Sequence, residues 1–453
     1  LPSISVETES ADKEYRLSAK STALEYAGEH IGGALWQYFE GQGDAERALA
    51  AMKDASRYTR GHLSRDAVHA LYGGAVTLSA SRMDMARSCH FAYFMRYGLK
   101  ARERTGAGFD APQIGTFVHD VMEHTLRQAK ECGGLHTLSK DKQHALVRAS
   151  IEEYIDRVLP DLCEKSARFR YLFNRLCATV ERIMDEVSEE LQSSDFEPLA
   201  FELEFGADGQ LPAITIREEN GTARVVGKVD RVDGWLHDGK LYLRVVDYKT
   251  GKKSFDLAEL RYGLGLQMLL YLFTLKEEGQ MLFGGHEIVP AGVLYTPARE
   301  PMLRCARDTE PEKIEKALKK ELRRSGMVLE DPAVLQAMEH SALESPCYLP
   351  IAVKRDGAVT GSLASAEQLG KLSKYVDHIL HEITQEVFAG NIDADPYART
   401  PQQSACTYCE FASACHFENG CGSDRMEYIK ATKNDEFWQY IDEVNGEGAH
   451  ENG

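Results

Sequence analysis

Apolar residues fall into two rhythms along this chain, one helical and one alternating. Between Gly115 and Leu126 the residues Phe117, Val118, Val121, Met122 and Leu126 lie on one stripe at helical spacing, predicting a helix that starts near Gly115. Residues 47–72, with Leu49, Met52, Ala55, Leu63 and Val68, read as further helices, and residues 139–192 as long amphipathic ones. Residues 199–205 change to period two, Leu and Phe alternating with Ala and Glu, which is the signature of a half-buried strand. More strands follow in 224–247, the last containing the largely apolar run 241–246. An apolar helical run covers 264–275, a short strand 291–295, and a helix 367–388. The predicted fold is α/β, a mixed sheet flanked by helices.

Polar residues that interrupt these runs are the candidates for chemistry. Asp247, Tyr248 and Lys249 close the 241–246 strand. Residues two apart in a strand share a face, so Asp247 and Lys249 enter one site while Tyr248 points away. A hard oxygen ligand beside an ammonium suits phosphodiester cleavage, in which a divalent cation orients water and the cation neighbour offsets phosphate charge. Asp230 follows another β-like stretch, 224–229, and supplies a second carboxylate for a Mg²⁺ site built from few protein ligands. His119 and Glu123, four apart on the first helix, share a face on which an imidazole can ligate metal. Gln267 and Tyr271 repeat that spacing in the apolar helix and can position a phosphate or a water. Glu202 and Glu204 offer two readings, a carboxylate facing the metal or the solvent face of their strand, and the solvent face is the favoured one. Taken singly, each signal has an ordinary explanation: an ion-paired strand end, a polar helix face, a hydrogen-bonded core amide.

Ten cysteines add an independent pattern. Cys406, Cys409 and Cys415 form a C-x2-C-x5-C cluster, and closely spaced thiols without a secretory signal read as metal ligands. Three thiolates call for a fourth, either the nearby Cys421, as in a zinc knuckle, or the distant Cys89. Spacing leaves both open. Cys132, Cys163, Cys177, Cys305 and Cys347 show no ligand spacing and read as buried apolar residues.

In order along the chain, Gly115-x-x-x-His119, Gly227-x-x-Asp230, Asp247-x-Lys249 and Gln267-x-x-x-Tyr271 resemble the RecB-like branch of the PD-(D/E)xK nucleases. The leading Pro-Asp of that name is absent, Val229 preceding Asp230. The resemblance implies a Mg²⁺ or Mn²⁺ site of His119, Asp230 and Asp247 with the backbone carbonyl of Tyr248. Lys249 would be the catalytic lysine, and Gln267 and Tyr271 the supporting motif. Stretches such as Leu78-Ser79-Ala80-Ser81-Arg82, Pro290-Ala291-Gly292-Val293-Leu294-Tyr295 and Gly326-Met327-Val328-Leu329-Glu330-Asp331-Pro332 are similar to the AddB-type subunits of bacterial AddAB helicase-nucleases. That family holds a four-iron four-sulfur cluster, which implies Cys89, Cys406, Cys409 and Cys415 as its ligands and Cys421 as a spectator.

The resemblance further implies a DNA exonuclease in double-strand-break resection, acting on the 5′-terminated strand in a heterodimer with an AddA-like helicase-nuclease subunit. Two alternatives come from other classes: a free-standing iron-sulfur exonuclease of CRISPR or phage type, and a non-catalytic DNA-binding scaffold. The expected organisation is a helical remnant of an inactivated helicase-like region over 1–75, a RecB-like nuclease domain closed by the cluster over 76–430, and an acidic, partly disordered tail over 431–453. The chain begins with Leu1 and reads as a fragment of a longer polypeptide.

Charge complicates this picture. With 53 Lys and Arg against 71 Asp and Glu, the formal net charge is −18, the reverse of the basic surface that releases counterions from DNA. Base concentrates locally at Arg96, Lys100, Arg102 and Arg104, the candidate DNA contacts, and again over 313–324, where interleaved glutamates read as a solvated helix face. A 43% hydrophobic content suits a globular protein of this length. The longest apolar run, around 266–275, falls short of a membrane span, and no signal-like segment or Walker A motif occurs. A cytoplasmic location without ATPase activity is the expectation.

Overall fold

The computed structural model describes residues 14–56, 59–102, 111–206, 209–306, 309–400 and 402–451. The chain divides into two compact units: residues 1–64, 88–101 and 390–428 form one, and 65–87, 102–389 and 429–453 the other.

The larger unit runs β1 (Ala75–Leu78), α1 (Ala80–Ser88), α2 (Ala111–Glu131), α3 (Lys140–Val158), α4 (Ala167–Gln192), β2 (Glu197–Phe205), β3 (Ile214–Glu218), β4 (Gly221–Val225), β5 (Gly227–His237), β6 (Lys240–Lys249), α5 (Gln267–Glu278), β7 (Glu287–Pro297), β8 (Ser325–Leu329), β9 (Leu363–Ala364), α6 (Ala366–Phe388) and α7 (Asn434–Glu451). A six-stranded sheet has the order β9-β8-β7-β6-β5-β2. The β6–β7 and β8–β9 pairs are parallel and the others antiparallel, so the expected mixed sheet is present. The apolar stripe of α2 packs with Val147, Ile151 and Tyr154 of α3, with Phe173, Val180, Ile183, Met184 and Val187 of α4, and with Phe201 and Tyr248 from the sheet. Helix α5 is buried from Met268 to Leu275, which explains why its sequence is apolar all round rather than striped. Ser365 and Gln368 start α6 with a capping box.

Two expectations need correction. The stretch 224–229 is not one strand: β4 ends at Val225 in a separate three-stranded sheet, β1-β4-β3, and β5 opens at Gly227 in the main sheet. The tail contains helix α7, with Phe437, Trp438 and Ile441 buried, Lys371 Nζ 2.8 Å from Asp442 Oδ1, and Asn445 Nδ2 donating to the Lys371 carbonyl at 3.1 Å. Its Glu, Asn and Gly content suggested disorder, but three apolar residues at helical spacing suffice to dock it.

In the smaller unit, helices Lys20–Glu29, Ala34–Phe39 and Asp44–Ser56 close around Ala23, Ala27, Trp36, Phe39, Ala45 and Leu49. The segments around Cys89 and Cys406 are knitted to each other. His90 N donates to Asp395 Oδ1 at 2.9 Å, Phe91 N donates to the Asp393 carbonyl at 2.9 Å, and Arg96 pairs with Glu410. Arg60, nearly buried, grips Asp424 through Nε and Nη2 and donates to the Cys415 carbonyl at 2.8 Å.

Candidate active site

The register of the main sheet assembles the site. Arg231 pairs with Val246 and Phe201 with Arg231, so Asp230 lies across from Asp247 on one side and from Glu202 on the other. Helix α2 brings His119 to the same place. Its Nδ1 is 3.3 Å from Asp230 Oδ1, and its Nε2 donates to the Tyr248 carbonyl at 2.8 Å. Asp230 also accepts the Tyr248 backbone N–H at 2.9 Å. The Tyr248 peptide groups thus bridge the imidazole and the carboxylate, while its side chain points away into the α2–α4 core as expected. There its hydroxyl accepts from Arg231 Nη1 at 2.7 Å.

His119, Glu202 and Asp230 offer ligand atoms within 4.8 Å of one another, a spacing one metal ion can bridge. Asp247 is 3% exposed, and its Oδ2 meets no hydrogen bond of good geometry, although Lys249 Nζ stands 2.7 Å away. Among the described residues Asp247 falls outside that three-residue group; it lies across the sheet from Asp230 with its carboxylate held by Lys249, so His119, Glu202 and Asp230 are the residues already spaced for a hard divalent cation and Asp247 stands beside them. The electrostatics agree. Burial alone would lower the His119 pKa, yet the hydrogen bond and charge of Asp230, the Tyr248 carbonyl and Asp247 raise it to about 9. Burial, then repulsion from Asp230, lifts Asp247 to about 6 against the opposing charges of Lys249 and His119. Burial also raises Glu202, with Lys228 opposing. Each of these groups is shifted toward its protonated form, the two carboxylates chiefly by burial and His119 by the carboxylates around it.

Glu202 is the residue that strand alternation assigned to solvent. Its backbone sits at φ +49, outside ordinary strand geometry, and its Oε2 is held by Lys228 Nζ at 2.6 Å. Asp84 on α1 was also missed. It accepts the Gly265 N–H at 2.9 Å and is raised by burial, while Lys253 and Lys249 act on it in the opposite direction. Gln267 opens α5 and donates through Nε2 to the Tyr271 hydroxyl at 3.2 Å.

Chain comparison agrees with the geometry. The profile of the PD-(D/E)XK nuclease superfamily matches residues 77–416. The chain belongs to that superfamily. Proteins with similar sequence include an ATP-dependent helicase/deoxyribonuclease subunit of Ruminiclostridium cellulolyticum, 30% identical over 91% of this chain and 36% of that protein. The corresponding subunits of Acetivibrio thermocellus and Caldanaerobacter subterraneus are each 32% identical, over 90% and 84% of this chain and 35% and 33% of theirs. The chain spans about a third of the length of these relatives.

The cysteines gather in the smaller unit. Charge interactions link Cys89 with Cys415 and Cys406 with Cys409 and Cys415, and burial, the largest influence on each, pushes Cys89 up to about 12 and raises Cys406 and Cys415. Cys421 is exposed. Among the described residues no three thiols approach within the 4.8 Å that a single ion spans. Of the other five cysteines, Cys132, Cys163 and Cys305 are exposed, contrary to expectation; they lie near loops and helix ends, where nothing covers them.

The basic run is only partly available for DNA. Arg96 is engaged by Glu410, Lys100 and Arg102 are exposed, and Arg104 lies outside the described residues. The pairs Lys313–Glu310 and Lys319–Glu315 fit the solvated-face reading, but it fails at the end of the run: the helix stops at Leu322, and Arg324 is buried against Glu190. No helix among the described residues is long and apolar enough to cross a membrane.

Proposed function

We propose that this chain is the metal-dependent deoxyribonuclease part of an AddAB-type helicase-nuclease, trimming DNA ends during double-strand-break repair. The observation that carries the reading is the metal-spaced group of His119, Glu202 and Asp230, with the buried Asp247 and its partner Lys249 beside it. His119, Asp230, Asp247 and the Tyr248 carbonyl, with Glu202 added, would hold Mg²⁺ or Mn²⁺. When bound, such an ion supplies a water of lowered pKa and positive charge for the phosphate.

The chain's own groups do the rest. Asp230 and His119, tied to the two peptide groups that flank Tyr248, fix one wall of the site, and the buried Asp247 sets the other. Lys249 is poised to hold the attacking water or to offset charge on a non-bridging phosphate oxygen. Water oxygen bonds to phosphorus as a P–O ester bond breaks, and the departing oxygen takes up a proton. Gln267 and Tyr271 position the DNA backbone beside the scissile group. Action on the 5′-terminated strand, and pairing with an AddA-like subunit, are what the resemblance of the sequence motifs to AddB-type subunits implies.

Cys89, Cys406, Cys409 and Cys415 would hold a four-iron four-sulfur cluster. Cys89, Cys406 and Cys415, which burial disfavours from ionising alone, would become thiolates beside ligated iron. Lys100 and Arg102 remain candidate DNA contacts.

Incubating the purified chain with end-labelled linear DNA tests the activity. Cleavage that needs Mg²⁺ or Mn²⁺ and disappears in Asp247→Ala is expected; DNA bound but never cut under any divalent ion would make the chain a scaffold.

A further inference from the structure

A cavity of about 580 Å³ opens beside the site, sharing Lys228, Gln267 and Tyr271 with its surroundings and reaching Ser79 and Ser81 on its far side. Chain topology explains the meeting. Strand β1 pairs in parallel with β4, Val226 N donates to the Leu78 carbonyl at 2.9 Å, and Ser79 therefore follows directly alongside the start of β5. Asp84 then ties α1 to the turn before α5 through the Gly265 N–H. Two helix N-termini, those of α1 and α5, consequently face one cavity.

Its lining is rich in neutral donors. The first turn of the nine-residue α1 has no acidic residue, and the N–H groups there have no partner within the helix. Ser79 and Ser81 stand with their hydroxyl oxygens 3.1 Å apart, so one bonds the other and leaves a hydroxyl proton to give outward. Tyr271 is 4% exposed. Its oxygen accepts from Gln267 and lies against the Lys228 N–H, while its own proton meets no acceptor among the described residues. At Gly227 a Cβ would come within 2.5 Å of Phe205 and Tyr271, so bare backbone forms that part of the wall. Among the described residues two charged side chains line it, Lys228 and Glu204, and the lysine is spoken for: its Nζ lies 2.6 Å from Glu202 and 3.4 Å from Glu204.

Resting on the nuclease reading, we propose that this cavity binds the phosphodiester group next to the one being cut, with Ser79, Ser81 and Tyr271 as its hydrogen-bond donors. A phosphate is an acceptor with no donor of its own, and it fits a wall of hydroxyls and helix N-termini. Neutral donors also suit the neighbourhood. A lysine placed this close to the metal-site carboxylates is captured by them, as Lys228 is, whereas a hydroxyl stays free for the substrate.

The test compares the purified chain with the Ser79→Ala, Ser81→Ala double variant on two substrates in Mg²⁺: a short single-stranded oligonucleotide, and bis(p-nitrophenyl) phosphate, which has no neighbouring phosphate. The expected result is a KM about ten-fold higher for the oligonucleotide at unchanged kcat, unaltered cleavage of the small diester, and recovery in Ser79→Thr with Ser81→Thr. Anisotropy of the labelled oligonucleotide, measured with Ca²⁺ on an Asp247→Ala background, should weaken by the same factor. Unchanged KM and binding overturn the proposal, as does equal loss on both substrates, which would place the serines at the scissile group or in the fold. Should the parent chain cut neither substrate while the serine changes still weaken binding, the nuclease reading falls and the phosphate subsite stands.

Discussion

Asp247 combines three properties seldom found together on a carboxylate: near-complete burial, an oxygen without a well-directed partner, and a pKa lifted to about 6. Removing it should leave the fold intact and lower Mg²⁺-dependent DNA cleavage by roughly a thousand-fold, a loss read from initial rates on labelled DNA. Glu202→Gln keeps the shape and removes one anionic ligand. Mn²⁺ affinity by calorimetry is expected to fall roughly ten-fold, with little change in melting temperature. These two residues also mark the limits of what the sequence carries. Asp247, Lys249, Asp230 and His119 were legible because strand and helix periodicity fixes which side chains share a face. Glu202 was not, because its place depends on a positive φ inside a strand, which no alternation pattern encodes.

Under the site lies an element-scale feature hidden from sequence. Arg231 and Arg244 occupy strands and read as polar positions, yet both are fully buried. Arg231 and Arg244 hold Asp233 at 2.8 and 2.9 Å, and Arg324 and Arg244 hold Glu190 of α4 at 2.6 and 3.3 Å. Arg231 also reaches the Tyr248 hydroxyl, so this cluster fixes β6 from the face opposite the metal ligands. Three guanidiniums outweigh the burial of Glu190 and hold its pKa near 2, below the ordinary 4.5. A depressed carboxylate stabilises the fold fully above about pH 4.5 and loses that contribution as pH falls toward 2. Stability measured by denaturant titration should therefore drop through this window in the parent chain. Glu190→Gln should lose about 3–5 kcal/mol at neutral pH, since it leaves buried guanidiniums uncompensated, and should flatten the acid dependence. A parent chain equally stable at pH 5 and pH 3 would contradict this role. Helices α2, α3, α4 and α6 and strands β2, β5, β6 and β7 were readable from periodicity, whereas the short edge strands β8 and β9 were not. The split between β4 and β5 was not, because a change of sheet after Val225 depends on partners distant in sequence.

At the scale of the whole molecule, the smaller unit is built from segments that flank most of the nuclease unit in sequence, and its four clustered cysteines come from two of those segments. A link between Cys89 and the 406–415 group closes a very long loop, and loop-closure entropy grows slowly enough with length that such a link is worth having. Anaerobically purified chain should contain about four iron and four sulfide per molecule. Cys89→Ala should lose them and melt at lower temperature, whereas Cys421→Ala should keep them; iron lost with Cys421 alone would reassign the ligands. The central claim concerns the other centre, and anomalous diffraction from crystals soaked in Mn²⁺ tests it most directly. The expected map has a peak in coordinating contact with His119, Asp230 and Asp247, adjoining the Tyr248 carbonyl and Glu202. Full Mn²⁺ occupancy elsewhere, with that pocket empty, would contradict it.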